Sequence, residues 1–390
     1  MKIKALPLKN GLTDFANTVS TIPARLGDVA KASDTLPLPT DSFQVNKVAR
    51  ALHPKEQLLT VTKVEDVTDD FKRYYLKSEN GRTAYFRAGQ YISVTLKIGE
   101  SLCTRAYSLA SSPKEALKNE YCIAVKRAAG GFVSDYILDN VREGDTLASY
   151  APEGTFVYEP LRDAKTVIGV AGGSGITPFL SLAKAIDERS ENLNLILLYG
   201  ARTENDLAFK EELDSIAENN GSFKVVYVLS ESKAKGFEHG FIGADLIKKY
   251  APKGEYSVFA CGPAAMYKFL KGEIEKLGLK KKYVRFEMQG TANGEAKSGE
   301  TYKMTVINRG ETSELTCRGD ETVLTALERA GVPVPVRCRS GECGFCRSKL
   351  VSGEVYIDES ADYRRIADAR FGYIHPCCSF PVSDITIKIN

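Results

Sequence analysis

Val336-Arg-Cys338-Arg-Ser-Gly-Glu-Cys343-Gly-Phe-Cys346-Arg-Ser348 sets three cysteines on one loop at the spacing C-x4-C-x2-C, and Cys377 follows 31 residues after Cys346. Five of the nine cysteines crowd between Cys338 and Cys378, while Cys103, Cys122, Cys261 and Cys317 stand singly. Such a distribution is unlike an evenly spaced disulfide framework, so a metal or cluster site is the first reading. Four thiolates are what two bridged irons require, and Gly341 and Gly344 let the loop wrap closely enough for backbone N–H groups to face sulfur. Structural zinc is the alternative, but its ligands usually come as two close pairs, whereas three of these sit on one loop.

Around this loop, YKMTVINR and SELTCR read as a hairpin, TVLTALERAG as a helix ending at Gly331, and ITIKIN as a closing strand, which together make a domain over residues 301–390. The preceding QGTANGEAKSGE is small, polar and glycine-containing, a linker over about 290–300. Upstream, TVIGVAG, NLILLYGA, FKVVYVLS and YSVFACG are continuous apolar runs separated by helix-like stretches, the pattern of a parallel α/β sheet over residues 161–289. From residue 56 to 160 the strands are short, β-branched and broken by glycine and asparagine turns, which predicts an antiparallel barrel. Residues 1–55, with the run LPLPTDSF and a short helix around Val45 to Leu52, read as an extension that lies on the body as a tail or strap.

A chain of 390 residues exceeds what one core organises, so several domains are expected. Lysine plus arginine number 53 against 50 acidic residues, a formal charge of +3, which gives no global reason to expect nucleic acid or an anionic membrane as partner. No stretch approaches the roughly 20 apolar residues of a membrane span, and MKIKALPLKNGLTDF lacks the apolar centre of a secretory signal, so a cytoplasmic location is expected.

Three further motifs carry chemistry. Gly169-Val-Ala-Gly-Gly-Ser-Gly-Ile-Thr-Pro178 ends an apolar strand and opens a helix, where glycines admit a phosphate-bearing ligand and unpaired N–H groups attract it. Taken alone, the same turn is equally consistent with tight packing. Arg105-Ala-Tyr-Ser108, with Gly130-Gly-Phe-Val-Ser134 downstream, offers an arginine and hydroxyls for a phosphate and a tyrosine for a planar ring. By itself it would pass for an ordinary strand with one exposed arginine. Phe259-Ala-Cys261-Gly262-Pro263 closes the last parallel strand, where ligands of open α/β sheets collect.

In this order the motifs resemble the ferredoxin-NADP+ reductase superfamily, specifically its three-domain oxygenase-reductase type with a C-terminal plant-type ferredoxin, over roughly residues 56–390. The resemblance implies a flavin-binding antiparallel barrel, an α/β nucleotide domain and a β-grasp ferredoxin domain. It further implies that Arg105 and Ser108 bind flavin phosphate, that Tyr107 packs on the isoalloxazine, and that Gly131 and Ser134 form the second phosphate turn. Gly172, Gly173, Gly175, Thr177 and Pro178 match the nicotinamide-domain GGxGxxP; Cys261, with Gly262 and Pro263, matches the turn beside nicotinamide and flavin. Cys338, Cys343, Cys346 and Cys377 match the [2Fe-2S] ligands.

Two departures stand out, Phe286-Glu-Met-Gln289 near the flavin and His375-Pro376 before the last ligand. The segment Ala151-Pro-Glu-Gly-Thr-Phe156 favours FAD over FMN, and both NADH and NADPH remain open. The implied activity is an oxidoreductase passing electrons from NAD(P)H through the flavin to the cluster and on to a separate acceptor protein: an oxygenase, a hybrid-cluster protein or a flavodoxin-like carrier. The alternatives are an electron-transfer subunit of a larger complex and a zinc-stabilised, non-catalytic interaction protein. Arg337, Arg339 and Arg347 flank the cysteines and suggest a basic rim for an acidic acceptor. Of the tandem cysteines, the resemblance assigns the ligand to Cys377, with Cys378 turned away on extended backbone.

Overall fold

Burial alternates along Gln57, Leu58, Leu59, Thr60 and Val61 in the way a strand with one solvated face requires. The computed structural model describes residues 11–31, 43–52, 54, 56–128, 130–287, 299–359 and 362–389. The alternating strands β1 (Glu56–Thr68), β2 (Phe71–Ser78), β3 (Tyr91–Ile98), β4 (Ser101–Ser108), β5 (Tyr121–Lys126) and β6 (Thr146–Tyr150) form one antiparallel sheet, in the order β4-β3-β6-β1-β2-β5. Its two edges meet at a bridge between Leu109 and Ile123, which curls the sheet into a barrel. Short helix α3 (Pro113–Ala116) and helix α4 (Phe132–Asn140) flank β5.

Continuous apolar runs behave differently. β7 (Thr166–Gly172) is buried from Val167 onward, as are the middle of β8 (Asn194–Ala201), the end of β9 (Phe223–Leu229) and all of β11 (Ser257–Cys261). With β10 (Glu238–His239) and β12 (Val284–Glu287) they form a six-stranded parallel sheet ordered β10-β9-β8-β7-β11-β12. Helices α5 (Thr177–Asp187), α6 (Lys210–Asn219), α7 (Ala244–Tyr250) and α8 (Ala264–Glu275) supply the crossovers. The strand order reverses between β7 and β11, so a crevice opens at the carboxyl ends of those two strands.

The third sheet contains β13 (Thr301–Asn308), β14 (Glu311–Arg318), β15 (Ser348–Ser352), β17 (Tyr373–Ile374) and β19 (Ile385–Ile389), with β16 (Val355–Ile357) pairing β18 (Ser379–Pro381) separately. The first and last strands, β13 and β19, pair in parallel, and helix α9 (Val323–Arg329) buries Val323, Leu324, Ala326 and Leu327 beneath them. Helix α10 (Ile366–Arg370) precedes β17. This is the expected arrangement of barrel, parallel sheet and ferredoxin-type domain.

Two kinds of interface join the three bodies. Barrel and parallel sheet share one core in which the Phe156 ring lies 5.6 Å from Phe179 and 5.2 Å from Phe259, and Phe71 lies 5.6 Å from Phe209. The ferredoxin-type domain instead meets the barrel through polar contacts, among them Thr104 N–H to Glu328 at 3.1 Å, and α9 packs on β4. The N-terminal residues form a separate unit, Met1–Ala51. In it α1 (Gly11–Lys31) leaves Phe15, Val19, Ile22 and Leu26 exposed on one helical face, and α2 (Gln44–Leu52) lies where a short helix was expected. LPLPT and most of the expected linker lie outside the described residues, as do Met288 and Gln289.

Candidate active site

The four loop and strand cysteines come together as two pairs. Cys338 Sγ lies 3.1 Å from Cys343 Sγ, and Cys346 Sγ lies 3.5 Å from Cys377 Sγ. Backbone N–H groups of Cys343 and Phe345 point at sulfur, at 3.4 Å each, as the two loop glycines allow. A [2Fe-2S] cluster takes two thiolates at each iron, and these two pairs supply that donor set. Cys378 turns elsewhere, its thiol donating to the His375 carbonyl at 3.4 Å. The backbone there is a 3-10 turn, Pro376–Cys378, rather than the extended chain expected, and it keeps the two thiols neighbours while only Cys377 reaches Cys346.

At the crevice of the parallel sheet, the glycine-rich turn and the Cys-Gly-Pro turn face each other. A Cβ on Gly175 would overlap the Cys261 carbonyl, so this glycine is required by close packing of the two turns. Gly173 differs: its φ is +54° and a Cβ would meet nothing within 4 Å, which leaves its backbone open to a ligand. Gly172 packs against Met266, Thr177 caps its own turn through the Ser174 carbonyl at 2.9 Å, and Pro178 occupies the first turn of α5. A cavity of about 600 Å³ spreads from here over Gly172, Gly173, Arg202, Asp206 and Pro263. Phe241 and Phe269, both exposed and 6.2 Å apart, stand at it as a surface for a planar base. Sequence reading missed this pair because the turn after β10 and helix α8 meet only in the fold.

Cys261 is buried, and burial pushes its thiol well up, so it is a neutral group there. Tyr267 ties the turn to β12: the Gly262 N–H donates to its hydroxyl at 3.0 Å, and the hydroxyl donates to the Glu287 carbonyl. The strand ending Phe286-Glu287 thereby reaches a second cavity of about 530 Å³ at the junction of all three bodies. Tyr91, Ala106 and Phe156 of the barrel, Phe286 and Glu287 of the parallel sheet, and Cys338 and Cys343 of the cluster loop line it.

The Arg105 motif is placed less simply than expected. Ala106 lines the junction cavity, while Arg105 on the adjacent position is held by Glu328 of α9 at 3.1 Å and Tyr107 packs partly buried against the barrel core. Burial drives the Tyr107 phenol up. Ser108 is buried at the end of β4; Gly131 is the N-cap of α4, and Ser134 lies in its first turn, 3.4 Å from Asp135. The suggested basic rim is corrected by the ion pairs. Arg339 is buried and paired with Glu328 at 2.5 Å, Arg337 pairs with Glu153, and Arg347 pairs with Asp368 at 2.8 Å. Charges that look surplus in sequence are neutralised in space.

Comparison with known proteins agrees with this geometry. Residues 58–158 match the oxidoreductase FAD-binding domain, 170–272 the oxidoreductase NAD-binding domain, and 306–382 the 2Fe-2S iron-sulfur cluster binding domain. The glycine betaine monooxygenase reductase subunit of Pseudomonas aeruginosa is 26% identical over 351 residues, 85% of this chain and 94% of that protein. The ferredoxin reductase component of the 3-ketosteroid-9-alpha-monooxygenase of Rhodococcus rhodochrous is 28% identical over 345 residues, covering 84% and 95%. The solved structure of phthalate dioxygenase reductase, described as modular for electron transfer from pyridine nucleotides to [2Fe-2S], superposes with a TM-score of 0.65 at 27% identity, covering 86% of this chain and 98% of that one. FAD, NAD(P)H and a [2Fe-2S] cluster are therefore the redox groups of this oxidoreductase, and neither the zinc-stabilised reading nor that of a subunit in a larger complex is favoured. With the three domains in this order, and the paired cysteines opening on a cleft shared with the other two, the chain belongs to the ferredoxin-NADP+ reductase-like flavoprotein oxidoreductases that carry a C-terminal [2Fe-2S] ferredoxin domain.

Proposed function

We propose that this chain is the reductase component of an oxygenase system, delivering electrons from NAD(P)H to a separate oxygenase protein in the cytoplasm. The observation that carries the reading is the junction cavity, where barrel, nucleotide-domain strand β12 and the cluster ligands Cys338 and Cys343 share one wall. The match to two reductase components of monooxygenases over nearly their whole length supports an oxygenase as acceptor. No disulfide joins any of the nine cysteines, four of which are assigned to the cluster, and among the described residues no helix is long and apolar enough to cross a membrane.

When bound, FAD accepts an electron pair as hydride from NAD(P)H and the cluster passes electrons on singly. The protein's part is placement. Gly173 and the amino end of α5 receive the dinucleotide phosphates, with Gly172, Gly175, Thr177 and Pro178 shaping that turn. Cys261, Gly262 and Pro263 give the nicotinamide a neutral, buried floor beside β12. Arg105 and Ser108, with Gly131 and Ser134 at the start of α4, hold flavin phosphate, while Tyr107 supports the ring. Cys338, Cys343, Cys346 and Cys377 hold the two irons.

Anaerobic titration of the holoprotein tests the cofactor set. FAD takes two electrons and the cluster one, so full bleaching of both should consume about 1.5 equivalents of NAD(P)H. An endpoint at about one equivalent, with no reduced-cluster EPR signal, would remove the cluster from the path. The acceptor is tested separately: a purified oxygenase component should turn over with NAD(P)H only when this chain is present, and not with its Cys377→Ser variant. Delivery to a small carrier protein alone would displace the oxygenase.

A further inference from the structure

Cys338 is flanked by two arginines, and each reaches out of the ferredoxin domain's own loop. Arg337 pairs with Glu153 of the barrel, and its guanidinium stacks over Phe345 at 3.9 Å and over the barrel's Tyr150 at 5.5 Å. On the other side Arg339, in left-handed conformation at φ +58°, pairs with Glu328 at 2.5 Å. Glu328 also accepts the Thr104 N–H at 3.1 Å and pairs with Arg105 at 3.1 Å, both on barrel strand β4. Glu328 is 3% and Arg339 5% exposed, so water contributes little to either charge.

We infer that these contacts form a two-arm clamp that registers the first cluster ligand, Cys338, on the flavin barrel, with Glu328 as its central positioning residue. One arm is Arg337 with Glu153; the other is Arg339 with Glu328, Thr104 and Arg105. A buried glutamate between two arginines satisfies its own charge and leaves one net positive charge in the seam. That surplus suits a boundary between two anionic groups, flavin phosphate on the Arg105 side and the thiolate-ligated cluster on the Arg339 side. Strain at Arg339 has a matching explanation, because a non-glycine residue persists at positive φ only when its surroundings hold it there. Just past the same end of α9 the backbone also approaches the barrel closely, since a Cβ on Gly331 would come within 2.6 Å of the Glu100 carbonyl.

The clamp acts on a single step, transfer of one electron from reduced FAD to the oxidised cluster after NAD(P)H has supplied the pair. This rests on the reading of FAD and cluster as successive carriers. It predicts a split that the reading alone does not. In stopped flow on the full-length holoprotein, Glu328→Gln and Arg337→Gln should leave flavin bleaching by NAD(P)H at its normal rate while the following reduction of the cluster slows about tenfold or more, since small misplacements of reacting groups cost this much. Hydrogen exchange gives a second readout: the Thr104 amide should lose protection in Glu328→Ala, which removes its acceptor.

Glu328→Asp, which keeps the charge near Arg339 but shortens the reach to Thr104, should fall between the two. Unchanged cluster reduction in both Glu328→Gln and Arg337→Gln, with visible cluster bands intact, would overturn the clamp. Equal slowing of both phases would also overturn it, by assigning Glu328 to flavin binding. If Glu328→Gln loses its cluster, Arg337→Gln decides alone by the same split. A holoprotein in which the cluster is reduced by neither NADH nor NADPH would refute the carrier sequence itself.

Discussion

Cys377 and Cys378 are adjacent in the chain and both buried, yet their sulfurs have different partners, Cys346 for one and the His375 carbonyl for the other. Cys378→Ser should accordingly keep the visible [2Fe-2S] bands and the reduced-state EPR signal, whereas Cys377→Ser should lose or distort them while NAD(P)H still bleaches the flavin. The reverse result would transfer the fourth ligand to Cys378. Cys261 poses a similar choice between chemistry and packing. Its thiol is kept neutral by burial and touches Tyr267; on the proposed reading it acts by shape, and Cys261→Ala should bind flavin normally but slow flavin reduction by about tenfold, through looser placement of the nicotinamide. Unaltered kinetics would leave it a packing residue. Phe241→Ala tests the aromatic pair at the nucleotide cavity; losing one stacked ring, worth about 1 kcal/mol, should raise KM for NAD(P)H roughly fivefold with kcat nearly unchanged.

Helix α6 shows how an element can join domains. Its Glu212 accepts from Arg73 of β2 at 2.7 Å and pairs with Lys184 of α5 at 3.0 Å, so one carboxylate spans barrel and nucleotide domain. Burial pushes this carboxyl up, but Lys184 and Arg73 outweigh burial and hold it below the ordinary glutamate range. A depressed folded-state pKa stabilises the fold above the unfolded value, about 4.3, and that contribution disappears as pH falls through the folded pKa. Glu212→Gln should therefore cost stability at neutral pH, by about 1–2 kcal/mol given that the side chain is 30% exposed and partly screened. The deficit should shrink as pH falls through the folded pKa, since the lost contribution is one the native protein itself sheds in acid. Urea melts across pH read this directly; a deficit constant from pH 7 to pH 3 would contradict the ionic account.

At the scale of the whole molecule the two interfaces should respond to different insults. Barrel and parallel sheet are fused by a continuous aromatic core, while barrel and ferredoxin domain meet through ion pairs, backbone contacts and the edge-on rings of Tyr150 and Phe345, 6.1 Å apart. Calorimetry should show one cooperative transition for the first two domains and a separate one for the ferredoxin domain. Removal of iron with a chelator should lower the second transition and leave the first in place, because cluster binding energy is folding energy only for the domain that holds the ligands. A single transition that shifts as a unit would show that the polar seam couples all three.

The sequence by itself determined the kinds of structure and the chemistry. Continuous apolar runs in β7 and β11 require two covered faces, alternation in β1 requires one, and C-x4-C-x2-C with a distant fourth cysteine suits a two-iron centre, since each pattern follows from local periodicity or donor count. Gly173 and Gly175 were legible as a ligand turn, but their separate roles, one open and one jammed against the Cys261 carbonyl, appear only once β7 and β11 lie side by side. The helix α1 was not legible, because its apolar residues recur in a segment otherwise polar and proline-bearing. Tertiary structure alone decided where charge goes. Arg337, Arg339 and Arg347 look like an exposed basic rim in sequence, yet Glu153, Glu328 and Asp368 meet them across separations of 184, 11 and 21 residues, two of them within the ferredoxin domain and one from another domain. Electrostatic pairing depends on distance in space, which the order of residues along a chain does not encode.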